Sequence, residues 1–353
     1  MDDGARVSAS QLLARAAAAP GRADRRLGQA IDDFFLPDDA RLDDRTRATL
    51  AATLAAVVAA AEGDLRRQTA RGLYGSDEAL AERVSEGRPV LDRLVGAGLP
   101  RDGELMRELI ARTRQDLLAD LLPAAPPEEA GASSLLARLS ASADATVAKA
   151  SLALMAAESR RRGLVDNGRV SQTELPAELH HRLVWWVAAA IREQLGTPAA
   201  DRVIVEAALR ALGNHDESDR VESAALRLAS AIDAQPGELP AVLTHALGDR
   251  RVALFIGLLA HALGFDFATM REIVVEGGEQ LWIALRAAEL DRATIARVGL
   301  SLCEADPRRD VEAFADQLDA IVAVTPDQAR DVLAPLRLHP DFRAAMAELE
   351  KNK

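Results

Sequence analysis

The stretch AELHHRLVWWVAAAIREQL, residues 177–195, gathers two histidines and two of the chain's three tryptophans. Imidazoles can ligate a metal or carry a proton, and tryptophan and arginine are enriched where binding energy concentrates. Turned at about 100° per residue, Leu179, Leu183, Val187, Ala190 and Ile191 share one helix face, with His180 in its middle. His181, Trp185 and Arg192 gather on the opposite side, and Trp186 lies on the border beside Arg182 and Glu193. A helical zinc pair needs histidines three or four residues apart so that both nitrogens reach one ion. Adjacent His180 and His181 point about 100° apart, so no metal site is expected here. His180 is expected as a packed imidazole satisfied by a backbone carbonyl, and Trp186 and Trp282 as core residues. Trp185 is either a rim contact covered by another helix of the same chain or, with His181 and Arg192, part of a surface for a partner protein.

A second cluster is GNHDESDR, residues 213–220. His215-Asp216, with His180 or His181 upstream and Asp233 or Asp266 downstream, is similar to the ligand order of metal-dependent His-Asp phosphohydrolases. Those enzymes hold the dipeptide on a buried helix. Here it follows Gly213-Asn214 and precedes Glu217, Ser218 and Asp219, the chemistry of a solvated turn and a helix cap. Hydrolysis therefore stands as the alternative reading.

Other candidates carry less. His261 lies in an apolar helix with no neighbouring carboxylate and is expected as a satisfied core residue. Cys303 has Glu304 and Asp306 close by, and nearby acids raise a thiol pKa, which makes a poor nucleophile. VEGGEQ (275–280) reads as a turn between helices, and ESRRRG (158–163) as a helix end whose arginines meet the negative pole of the dipole. There is no phosphate-cradling glycine loop and no paired cysteine. No catalytic residue, metal or cofactor is expected.

The elements that must position these residues are helices. Ser8 with Gln11, Ser171 with Glu174 and Thr325 with Gln328 have capping-box spacing, and Thr197-Pro198, Asp306-Pro307 and Thr325-Pro326 pair a cap with a first-turn proline. Gly163, Gly196, Gly213 and Gly277-Gly278 follow apolar-periodic runs as stops. RVIVE (202–206) and EIVVE (272–276) look β-branched in isolation but sit inside longer helical periods. Helices near 250–263 and 279–290 are apolar almost all round and are expected at the centre of a bundle.

The proline- and acid-rich LLPAAPPEEAGASS (121–134) predicts a linker. The expected organisation is therefore all-α: a HEAT-like helical solenoid layer over 1–125, a linker at 126–134 and a larger helical bundle over 135–353. A hydrophobic share of 49% against 3% aromatic calls for Ala, Leu and Val cores, which suit closely approaching helices. The net charge of −12 argues against a nucleic-acid partner, whose phosphates need clustered cations. The acidic MDDGARVSAS predicts no signal peptide, and the apolar windows 252–265 and 50–61 fall short of the roughly 20 residues that span a bilayer. One cysteine allows no intramolecular disulfide, so a cytoplasmic protein without membrane insertion is expected.

The runs DLRRQTARGL, ALAERV and RPVLDRLVGAGLPRDGELMRELIART within 64–113, followed by LFIGLLAHALGFDFATMREIVVEGGEQLWIALRAAELDRATIARVGL (254–300), resemble an uncharacterised proteobacterial family of Ala/Arg/Leu-rich helical proteins. The likeness covers about two thirds of the chain. It implies HEAT-like helix pairs and a non-enzymatic regulatory protein, with no catalytic residues to carry over. The expected function is a protein-binding or regulatory scaffold module; a structural homo-oligomer is the further alternative.

Overall fold

The computed structural model describes residues 42–123, 133–167, 173–276 and 278–351. The chain divides into a unit Met1–Arg47, of which 42–47 are described, and a compact unit Ala48–Lys353. The expected caps at Ser8 with Gln11 and at Ser171, the stop at Gly277 and most of the expected linker lie outside the described residues.

The described secondary structure is helical, without a strand among the described residues. The first half holds α1 (Asp44–Leu73), α2 (Glu78–Ser85), α3 (Leu91–Ala97), α4 (Gly103–Leu121), α5 (Leu135–Ser140), α6 (Ala145–Asn167), α7 (Ala177–Leu195) and α8 (Asp201–Gly213). The second holds α9 (Val221–Ile232), α10 (Leu239–Gly248), α11 (Val252–Leu263), α12 (Phe267–Glu276), α13 (Glu279–Ala287), α14 (Arg292–Ala305), α15 (Val311–Ala323), α16 (Pro326–Leu333) and α17 (Pro340–Lys351). RVIVE and EIVVE fall inside α8 and α12, so helical periodicity outweighs β-branched propensity at both.

Local chemistry sets the helix ends. Asp102 accepts the Glu104 and Leu105 backbone N–H groups and starts α4. Both halves of the Thr325–Gln328 capping box form at α16. Gly196 closes α7 in the left-handed conformation (φ 63°), which a residue with a Cβ adopts only under strain. Asp306 departs from expectation. It ends α14 instead of starting a helix, its carboxylate takes the Arg308 and Arg309 guanidiniums, and Asp310 caps α15.

The core gathers around α11, which is buried on nearly every face, and Leu281, Trp282, Ala284 and Leu285 of α13 are buried as expected. The closest pairings, α9 with α11 and α9 with α6, join helices that are not consecutive, so the packing is that of a bundle. These pairings do not establish a HEAT-like stacking of successive pairs. Helix α4, which precedes the expected linker, packs against α11, α12 and α14, which follow it. Helix α1 is, by length and composition alone, apolar enough to cross a bilayer, and half of its most apolar window is buried within the fold.

The α9–α11 crossing depends on one missing side chain. A Cβ at Gly257 would meet the Ala225 carbonyl oxygen at 3.0 Å and its carbon at 3.1 Å, and backbone cannot swing aside as a side chain can. We expect Gly257→Val to cost about 1–3 kcal/mol by overpacking. Urea unfolding measures this; a cost under about 0.5 kcal/mol, typical of uncoupled surface sites, would show that the helices separate freely.

Candidate functional site

The largest group of buried charged residues lies where α4, α6, α9 and α12 meet the segment 173–176, apart from the Glu62–Arg66 pair of α1 and Asp306 with Arg309. Glu108, Arg112 and Asp116 recur every four residues and so line one face of α4. Arg271 of α12 grips Glu108 with both guanidinium ends, Nη1 at 3.1 Å, in the fork geometry that arginine offers a carboxylate. Arg220, just before α9, reaches the same Glu108 at 3.2 Å and Glu222 at 3.4 Å. Arg161 of α6 holds Glu222 at 2.5 Å and lies 3.7 Å from Glu174. Glu174 in turn accepts the Val221 N–H at the head of α9.

Burial makes this network consequential, because an ion taken out of water costs several kcal/mol unless its partners repay it. Burial alone would raise the Glu222 carboxyl, but Arg161, Arg220 and Arg271 override it and hold the group well below the usual carboxylate range. Glu174 adopts a left-handed backbone (φ 56°), a conformation that costs about 1 kcal/mol or more away from glycine. Its carboxyl lies 3.7 Å from Arg161 and accepts the Val221 N–H, and burial pushes its pKa up despite the Arg161 guanidinium.

The same segment delivers Thr173 to α7. The Thr173 hydroxyl meets His180 Nδ1 at 2.8 Å, and the His215 ring stacks on His180 with centroids 4.0 Å apart. His215 Nε2 donates to the Leu175 carbonyl at 2.9 Å, which fixes that ring from the other side. The pair lines a cavity of about 230 Å³ together with Asp64 of α1, Thr173 and Asn214. His180 is buried as expected, with the Thr173 hydroxyl at its Nδ1 and the Ala211 backbone also facing the ring. Burial, reinforced by His215, pushes the His180 pKa down to about 4.

His215 thus turns inward, whereas Asp216 faces solvent and caps the turn Glu217–Asp219 through Ser218 N–H. The dipeptide splits because its residues do different work. Asp233 caps the end of α9 and Asp266 takes Thr269, so neither joins the histidines. Among the described residues, no three His, Cys, Asp or Glu side chains are placed to hold a metal ion. His261 departs from expectation: it is exposed and pairs with Asp233 at 3.0 Å, because α9 brings a carboxylate that the local sequence of α11 lacks. Cys303 is buried, and burial, with Asp306, Asp310 and Glu304 adding to it, raises its thiol.

The outward face of α7 carries the surface residues. Trp185 Nε1 donates to His181 Nε2 at 3.2 Å, and the rings meet edge to face. Arg192 stands apart, bound to Asp201 at 2.9 Å, where it ties α7 to the start of α8. Trp186, expected in the core, is 38% exposed, because the border of the apolar face coincides with the edge of α3. It joins Trp185, Leu94, Ala97 and Ala189 around an open recess of about 280 Å³, with the Arg93–Glu193 ion pair at its edge.

The histidine pair has a pH signature. An unfolded histidine takes its proton near pH 6.5, while buried His180 resists it to about 4, so the unfolded state binds more protons across that window and stability falls as pH drops through it. We expect the urea midpoint of the wild type to fall more steeply between pH 6.5 and 4.5 than that of His180→Gln. Identical pH profiles would contradict the assignment.

A search of curated proteins and of solved structures finds no match to the chain. The matching family model spans residues 128–334, from before α5 to the start of the turn after α16, and takes in Arg161, Glu174, His180, His215, Glu222 and Arg271 but not α4. With more than half its length matched, the chain belongs to the family of uncharacterised proteins conserved in bacteria, DUF2336.

Proposed function

We propose that this chain is a non-enzymatic binding module that presents the outer face of α7 to a partner protein and serves as a regulatory scaffold. The observation that carries the reading is the pair of tryptophans left at the surface around an open recess, in a protein whose interior has abundant apolar volume. Indole rings offer a large, rigid contact area, and a recess that admits one apolar side chain provides the anchor that such interfaces need. The Arg93–Glu193 pair at the edge supplies a polar rim. Arg192 belongs to the α7–α8 junction, so within this reading the contact residues are Trp185, Trp186 and His181. A single buried thiol suits a reducing compartment such as the cytoplasm.

A second reading is self-association through α17. Phe342, Met346 and Leu349 are exposed at a four- and then three-residue spacing, the period of a coiled-coil seam.

Ala189→Arg tests the first reading, since Ala189 is exposed and the new side chain fills the recess without entering the core. We expect unchanged stability and at least a tenfold loss of the proteins captured from the native host, about 1.4 kcal/mol or more. Equal capture by both proteins would overturn the reading. Light scattering on the same samples addresses the second: a stable dimer that persists in Ala189→Arg places self-association on a different surface.

A further inference from the structure

Two surfaces of this chain lack a partner, and their chemistry matches. The first lies between α6 and α9. Arg160 and Arg161, late in α6, bond to the Asp219 carbonyl just before α9 and to Glu222 in its first turn, so the two helices run antiparallel. At their other end a groove of about 840 Å³ opens between the start of α6 and the last turns of α9. Ala145, Ala150, Ala153 and Ala231 line it, and side chains this short let a further helix approach to about 8 Å, the near end of helix packing distances. Lys149 stands on one wall and Arg227 on the other. Both are exposed, neither makes a hydrogen bond or ion pair among the described residues, and no acid lines the groove. Leu152, exposed one turn beyond Lys149, extends the apolar wall.

The second surface is α17. Phe342, Met346 and Leu349 are exposed at positions i, i+4 and i+7, the anchor spacing of a helix that lies in a groove. At the helical rise the stripe is about 10 Å long, and the α6 wall from Ala145 to Ala153 is about 12 Å. The helix carries three acids, Asp341, Glu348 and Glu350, against Arg343 and Lys351, and Arg343 donates to the Thr269 hydroxyl of α12. Two such helices meeting seam to seam set acid against acid. The groove offers cations instead.

We propose that α17 of one copy seats in the α6–α9 groove of a second copy of this chain. The proposal rests on the self-association reading above and names the surface that receives α17. A helix in a groove joins two different surfaces, and the contact made twice about a two-fold axis closes a dimer. Lys149 and Arg227 then face the acidic flanks of the incoming helix, while its apolar stripe covers the alanine floor.

The test is sedimentation equilibrium of the full chain, with variants at exposed positions on either surface and circular dichroism to verify their fold. The wild type is expected to reach the dimer mass as concentration rises. Lys149→Glu with Arg227→Glu reverses the charge of the groove walls, and Phe342→Asp interrupts the stripe; each variant is expected to associate at least tenfold more weakly. Mixed in equal amounts, the two variants are expected to recover a heterodimer, because one supplies an intact α17 and the other an intact groove. A wild type that stays monomeric would overturn the proposal together with the α17 reading, leaving the groove to a different occupant. A groove variant that dimerises like the wild type, while Phe342→Asp does not, would overturn the proposal and keep self-association through α17 alone. Two variants that stay monomeric when mixed would show that these surfaces do not meet.

Discussion

Charges buried among helices must find each other, and in this protein that requirement fixes how the helices sit. Glu108, Glu174 and Glu222 meet Arg161, Arg220 and Arg271 from four different elements and from the segment before α7. Apolar faces tolerate sliding, since one leucine contact replaces another at little cost. A guanidinium–carboxylate fork does not, because a shift of an ångström breaks short hydrogen bonds while leaving the ions out of water. Hydrophobic burial around α11 supplies the bulk of the driving force, and the network selects one register among the packings that alanine and leucine surfaces would accept.

This constraint also positions both faces of α7. The backbone turn at Glu174 that brings its carboxylate to Arg161 also delivers Thr173 to His180 and the Leu175 carbonyl to His215. Helix α7 is therefore anchored from inside by a histidine stack while its opposite face carries Trp185 and Trp186. The arrangement puts a polar cavity and a surface recess on opposite sides of one helix.

Much of the architecture was legible in the sequence because helices announce themselves locally. The 3.6-residue period, the Thr325–Gln328 box and the glycine stop at Gly196 all act within a few residues, and each forms as read. The all-round apolar pattern of α11 likewise reported its central place. Long-range pairing was not legible. Glu108, Arg112 and Asp116 lie on the polar side of an amphipathic run, and nothing within α4 distinguishes a solvated face from one that meets Arg161 and Arg271. The i, i+4 alternation of acid and arginine was the one available signal, and it also describes ordinary surface helices. His215 sits in a turn whose composition reads as solvated, and it turns inward because Leu175 offers a carbonyl 40 residues away in sequence. His261 and Trp186 differ from expectation for the same reason: burial depends on which helix arrives opposite, and composition is silent on that. The proline-rich stretch near residue 126 reports local texture, whereas the packing of α4 on α12 reports contacts more than 150 residues apart.

The account stands on the pairing of Glu108 with Arg271, which ties α4 to the helices of the family-matched region. A double-mutant cycle with Glu108→Ala and Arg271→Ala, followed by urea unfolding, measures it most directly. Each single substitution removes a buried partner, leaving Glu108 to Arg220 alone or Arg271 to the more distant Glu222, and is predicted to cost about 3 kcal/mol, while the double substitution costs little more than either alone. Single costs below about 1 kcal/mol that simply add would contradict the claim that this network holds the helices in register.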